Sequence, residues 1–240
     1  RALARVQGGP AYPFYDTPVS GLRPDLSRPG AQRGAVIWAG SAATRRLALT
    51  FDDGPHPNWT PRVLAALARH NVKATFFVRG DNLTAHGDLL TGTGHEVANH
   101  TWDHPDLAAA DYRACRDQLS RTSAEIARRF GRPPALFRPP YGHLGGAAML
   151  AAAELGLTTV LWSAQMRESR YVAEPAGIVG DIAANVGPGA IILAHDTGPA
   201  DRLVTIDHLD DILTRLRDDG YALTTVSELA GLGQEPTTAT

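Results

Sequence analysis

From Arg45 onward the chain repeats one alternation: a short apolar run, a polar loop, then a stretch whose apolar residues recur every three or four positions. "LALTF" (47–51), "ATFFV" (74–78), "HEVAN" (95–99), "ALFRP" (135–139), "TTVLW" (158–162), "AIILAH" (190–195) and "ALTTV" (222–226) read as strands. Helices are predicted at about 59–70, 84–91, 111–130, 145–155, 175–186 and 203–219, the first opened by Asn58 as cap and Pro61 in the first turn. Seven βα-like units imply an α/β fold with a parallel sheet, and near-continuous apolar strands imply burial on both faces. An incomplete (β/α) barrel suits this count better than an open doubly wound sheet, although the periodicity is compatible with both. Residues 1–44, rich in Pro, Gly and Arg, read as an irregular N-terminal extension, residues 45–230 as one domain, and residues 231–240 ("GLGQEPTTAT") as a frayed tail.

Composition narrows the picture. At 240 residues and 43% hydrophobic content, the chain can bury a full core. Its 23 basic and 25 acidic residues give a net charge of -2, so no long-range field draws it to nucleic acid or an anionic membrane. No apolar run approaches the ~20 residues of a membrane span. The lone Cys115 excludes an internal disulfide and a cysteine-rich zinc site, and reads as a packed helix residue. A start at Arg1 rather than methionine reads as a processed or trimmed product whose targeting segment, if it had one, is missing.

In a barrel of this kind chemistry collects at the carboxyl ends of the strands. Asp52 and Asp53 end the first predicted strand, Asn99 and His100 the third, Arg138 and Tyr141 follow the fourth, and His195 and Asp196 end the sixth. Adjacent carboxylates beside imidazoles and a guanidinium are costly in a buried place unless a cation offsets them. In "NHTWDHPD" (99–106), His100 and His104 lie four apart, so one helical or turn-like segment could aim both imidazoles at the same ion, with a nearby carboxylate completing the set. His95 and His56 read as structural or rim residues. Trp59, Trp102 and Trp162 read as core aromatics, with Trp102 a candidate for stacking on a sugar ring.

"TFDDGP" (50–55), "HTWDH" (100–104), "RPPYG" (138–142) and "LAH" (193–195), in this order, resemble the polysaccharide deacetylases of carbohydrate esterase family 4, the NodB homology domain, over about residues 45–230. The resemblance implies a distorted (β/α) barrel and a catalytic domain that removes N- or O-acetyl groups from sugars such as chitin oligosaccharide, peptidoglycan or acetylxylan. It also implies a divalent metal, Zn2+ before Co2+ or Ni2+. By position, Asp53, His100 and His104 would hold the metal, Asp52 would be the general base and His195 the general acid. Arg138 would orient the base, and the Tyr141 backbone N–H would stabilise the oxyanion. The expected partner is a carbohydrate, with no nucleic acid and no membrane span; the expected state is a monomer, extracellular or bound to the cell envelope.

One motif departs from the family. Where Asp-x-x-Asp-Trp is common, this chain reads "WSAQMRESRY" (162–171), with Gln165 and Glu168 at the acid positions and Ser169 at that of the tryptophan. Glu168 is expected to support His195 through the ring nitrogen that faces away from substrate. The alternative is a solvent-facing Glu168 between Arg167 and Arg170. A more open acyl pocket leaves room for a small N-acyl or N-formyl amino sugar, a non-sugar amide, or a metal-retaining carbohydrate-binding pseudoenzyme.

Overall fold

The computed structural model describes residues 35–232. Along the chain run β1 (Val36–Ile37), β2 (Arg46–Asp52), α1 (Thr60–Arg69), β3 (Thr75–Val78), α2 (Gly80–His86) and β4 (Glu96–Asn99). They are followed by α3 (Tyr112–Phe130), β5 (Leu136–Phe137), α4 (Gly146–Glu154), β6 (Thr158–Val160), β7 (Ala164–Gln165) and α5 (Gly177–Asn185). The last elements are β8 (Ile191–His195), α6 (Leu203–Asp207), α7 (Leu209–Asp218), β9 (Ala222–Thr224) and α8 (Val226–Ala230). The strands form one parallel sheet in the order β1-β6-β5-β4-β3-β2-β8-β7, with β9 paired to the start of β2. Among the described residues no ladder joins β1 to β7. The chain spans that gap itself, Leu161 N–H donating to Ile37 and Ser163 N–H to Ile191. The result is a curled, incomplete barrel.

All seven expected strands are present. The two additional ones, β1 and β7, are two residues long, too short for any period to be read; β1 lies within the stretch read as irregular. Residues 1–34 and 233–240, most of the expected extension and tail, lie outside the described residues. The expected helix 203–219 breaks at His208 into α6 and α7, and the short α8 carried no signal. Asn58 does not cap α1: the N-cap is Trp59, without a side-chain bond, and the turn is organised instead by His56, whose Nδ1 accepts from the Asn58 and Trp59 N–H groups.

Strand alternation sorts the core. In β2, Leu47, Leu49 and Phe51 face outward, into a cluster with Val63 and Leu67 of α1 and Ile212 and Leu216 of α7. Ala48 faces the interior with Phe77, Ala98, Val160 and Ile191, and Val226 and Leu229 of α8 join this inner cluster. Because Val226 N–H bonds Thr75 at the start of β3, α8 closes the amino end of the barrel. A third cluster joins Cys115 and Leu119 of α3 to Ala148 and Ala151 of α4. α3 is set by its ends: Asp111 accepts from Ala114 N–H at 2.8 Å, and Gly131 takes φ 75° beyond the last turn. With one end plugged by apolar side chains, polar groups gather at the other.

Candidate active site

The inward face of β2 continues past Ala48 to Thr50 and Asp52. Arg138, fully buried after β5, fills the space above them. Its Nη1 donates to Asp52 Oδ1 at 2.6 Å and to the Thr50 hydroxyl at 2.8 Å, while Nη2 reaches the Leu161 carbonyl at 3.2 Å and Nε the Val160 carbonyl at 3.4 Å. The guanidinium also lies 4.0 Å from the Phe77 ring centroid. Burial raises the Asp52 carboxyl against the opposing Arg138 and His100 charges, and burial likewise lowers Arg138. Asp52 is therefore a fixed carboxylate in a dry place, with one oxygen bound and the other 3.7 Å from His100 Nε2.

Asp53 takes a left-handed φ of 75°, which turns its side chain out of the strand register, and Asn82 of α2 pins its carbonyl at 2.7 Å. The turn from Asn99 to His104 is likewise fixed by side chains rather than helical. Thr101 and His104 have φ 68° and 66°, Asn99 accepts from Thr101 N–H, and Gln118 accepts from Trp102 N–H. Asp53 Oδ1 consequently lies 3.5 Å from His100 Nε2 and 3.2 Å from His104 Nε2, and these three ligand atoms fall within 4.8 Å of one another.

These residues fit a divalent cation. Asp53 Oδ1 is buried and has no hydrogen-bond partner among the described residues. His100 Nδ1 lies 2.7 Å from the Arg138 carbonyl, which can only accept, so Nδ1 carries a proton and the neutral ring presents a bare Nε2 lone pair to two carboxylates. Something positive belongs between them. Burial lowers His100, but Asp52 and Asp53 outweigh it and raise its pKa, so that a proton partly fills that role in the metal-free chain. Burial, then the His100 charge, lowers His104 to about 4, which leaves a neutral imidazole ready to ligate. Burial pushes Asp53 up, but the facing His100 imidazole and the His100, His195 and His104 charges hold it well below the usual range.

His195 pairs in register with Asp52 across β2 and β8 and faces the same cleft. The expected Glu168 support is not what the structure shows. Glu168 Oε1 accepts from the Thr205 hydroxyl of α6 at 3.0 Å, and His195 Nδ1 is buried without a partner among the described residues. Nor does Glu168 face solvent between its arginines: it is 7% exposed, and Arg167 is turned away to Asp181. The short helical turn Glu168–Arg170 directs the carboxyl toward α6, which the sequence could not reveal. Burial pushes Glu168 up to about 7. Burial and the Arg202 charge lower His195 to about 3, so the imidazole rests neutral. Asp196, just past the end of β8, bonds the Thr60 hydroxyl at 2.5 Å and does not line the cleft.

Tyr141 has φ 60° in the turn Pro140–Gly142, and its ring meets that of His104 edge-on at 4.7 Å. The cavity, about 470 Å³, is lined by both acids, His100, His104, Tyr141 and His195, and also by Met166, Glu168 and Ser169. Trp162, not Trp102, lines it; the Trp102 ring is covered by Arg121 at 4.2 Å. Sequence reasoning missed Thr50, Asn82 and Arg202. Thr50 was readable two positions before Asp52 on the same strand face, whereas Asn82 and Arg202 carried no signal.

A family model described as polysaccharide deacetylase matches residues 39–160. The peptidoglycan-N-acetylglucosamine deacetylase PgdA of Listeria monocytogenes is 39% identical over 191 residues, covering 78% of this chain and 39% of that relative. This chain thus spans well under half of its length. The chitooligosaccharide deacetylase of Sinorhizobium fredii is 38% identical over 190 residues, covering 73% of this chain and 87% of the relative. The solved structure of the Bc1960 peptidoglycan N-acetylglucosamine deacetylase, in complex with a naphthalenyl N-hydroxybenzamide, superposes with a TM-score of 0.78 at 32% identity, covering 84% of this chain and 95% of that one. Sequence motifs, the half-barrel and these matches agree: the chain belongs to the polysaccharide deacetylase family, carbohydrate esterase family 4.

Proposed function

We propose that this chain is a metal-dependent deacetylase that hydrolyses the N-acetyl or O-acetyl group of a carbohydrate such as peptidoglycan, chitin oligosaccharide or acetylxylan, releasing acetate. The observation that carries this reading is the junction of two unlike carboxylates. Asp53 is aimed with two imidazole Nε2 atoms at one point, and Asp52 beside it is held by Arg138. Asp53, His100 and His104 hold the ion, with zinc favoured over cobalt or nickel because a nitrogen and oxygen set with an open position suits it. When bound, the ion supplies a Lewis acid that polarises the acyl carbonyl and acidifies water.

The chain's own groups supply the rest. Asp52 takes the proton of the attacking water through its unbound oxygen, its orientation fixed by Arg138. The backbone N–H of Tyr141, at the cavity wall, stabilises the developing oxyanion; one fixed donor of this kind contributes roughly 3 kcal/mol. His195 donates a proton to the leaving nitrogen or oxygen. Because it rests neutral, it must first gain a proton: the one Asp52 takes from the attacking water passes on to His195, whose imidazolium is favoured by the negative charge that builds on the attacked carbonyl, and goes from there to the leaving group.

Ser169 and Met166 in the cavity wall, where the family's tryptophan is missing, favour as second reading a hydrolase of a small N-acyl or N-formyl amino sugar or non-sugar amide. A pseudoenzyme is disfavoured because a binding protein needs neither Asp52 nor His195. We assign the chain to the extracellular space or cell envelope and to a monomeric state, and among the described residues no helix is long and apolar enough to cross a membrane. The test is acetate or formate release from peptidoglycan, chitin oligosaccharides, acetylxylan and small acylated amino sugars. Release from none of them by the metal-loaded chain would sink the reading.

A further inference from the structure

We propose that Arg202 is a positioning residue of the metal centre: its guanidinium holds the outer oxygen of Asp53, so that only Oδ1 is offered to an ion beside His100 and His104. The inference rests on the deacetylase reading's metal site and adds to it a residue 149 positions from the ligand it controls.

Arg202 ends the short turn Ala200–Arg202 that leads into α6. Its Nη1 donates to Asp53 Oδ2 at 2.8 Å and to the Thr197 carbonyl at 2.7 Å. The second bond fixes the side chain against its own loop, so the guanidinium is a brace rather than a tethered counterion. Gly198 makes room for it. That residue has φ 118°, and a Cβ there would lie 2.3 Å from Arg202 Nη1. Asp53 is thereby held at both ends, its carbonyl by Asn82 and its outer carboxylate oxygen by Arg202, while Oδ1 stays unpartnered and faces the two Nε2 atoms. An ordinary surface ion pair does not account for this, because the Asp53 side chain is only 12% exposed and that of Arg202 22%.

Two effects of opposite sign separate the proposal from its rival. A brace that presets the ligand strengthens ion binding, as outer partners of metal ligands commonly do. A bare positive charge beside the site weakens it. Divalent zinc and cobalt affinities of the full chain, measured by competition with a chromophoric chelator, together with the visible spectrum of the cobalt form, distinguish them. The parent should bind one equivalent and Asp53→Asn should not; a parent that binds no ion refutes the metal centre itself. Arg202→Met should weaken binding by roughly 10–100-fold and alter the cobalt spectrum, because the freed carboxylate can rotate and offer both oxygens. Arg202→Lys should recover part of the affinity. Arg202→Gln, which keeps a donor but loses the charge and the reach, should reproduce the loss and keeps the test alive should Arg202→Met fold poorly. Parent-like or tighter binding in Arg202→Met or Arg202→Gln, with an unchanged spectrum, overturns the proposal while leaving the metal centre standing.

Discussion

Replacing Arg138 by methionine tests the electrostatic logic of the cleft. The substitution keeps much of the volume but removes the cation from a fully buried pair, leaving Asp52 with only His100 nearby and the Thr50, Val160 and Leu161 oxygens without their donor. Breaking a buried pair from one side costs about 3–5 kcal/mol. For a chain of this size, 1 kcal/mol moves Tm by about 2–4 °C, so a fall of roughly 6–20 °C is expected. The loss should depend on pH in a stated direction. Burial already raises Asp52 above its ordinary 3.8, with Arg138 the largest opposing influence. Deleting Arg138 raises it further. A carboxyl raised on folding binds more protons in the native state, so its contribution is intact below the unfolded value and is lost as pH climbs toward the folded one. The deficit should therefore be larger at about pH 8 than at about pH 5. Adding Asp52→Asn removes the stranded charge and should recover about 1 kcal/mol or more at the higher pH. Urea unfolding with chelator present measures all three variants. A deficit independent of pH, unrelieved in the double variant, would refute the view that Arg138 balances the charge of Asp52.

Asp52→Asn should lower kcat by at least about 100-fold while retaining the ion, whereas His104→Ala should lose it; equal metal content in the two would dissolve the division between base and ligand. Asp196 is raised to about 7, chiefly by burial, so the stability it contributes is present below its ordinary 3.8 and lost as pH rises toward 7. Asp196→Asn keeps an acceptor for Thr60, so in chelator it should be as stable as the parent or more so above about pH 7, with a flatter pH profile by thermal unfolding. Glu168→Gln should leave the basic limb of kcat/KM in place, since the carboxyl sits at Thr205 rather than His195; a shift of about one unit to lower pH would restore a direct link between them.

What could be read locally was read from the sequence. β2 shows its apolar run in seven letters, so Asp52 was legible as an acid at a strand end, and the two histidines four apart were legible as a pair. The parallel α/β sheet followed from apolar runs long enough to carry a period, whereas its curling into an incomplete barrel rested on the count of units and on the resemblance. Two-residue strands such as β1 and β7 carry none, and α8 is a single turn longer than a loop. The resemblance placed Asp53, His100 and His104 together, but the geometry that makes them a site comes from contacts across the fold. Arg138 reaches Asp52 over 86 positions, and Arg202 reaches Asp53 over 149. Glu168 shows the limit most plainly. Its position along the chain matched the family acid, yet a helical turn of three residues sent its carboxyl to α6. Side-chain type and strand period are properties of neighbouring residues, whereas the direction of a side chain in a loop depends on what packs against it, and only the tertiary structure decides that.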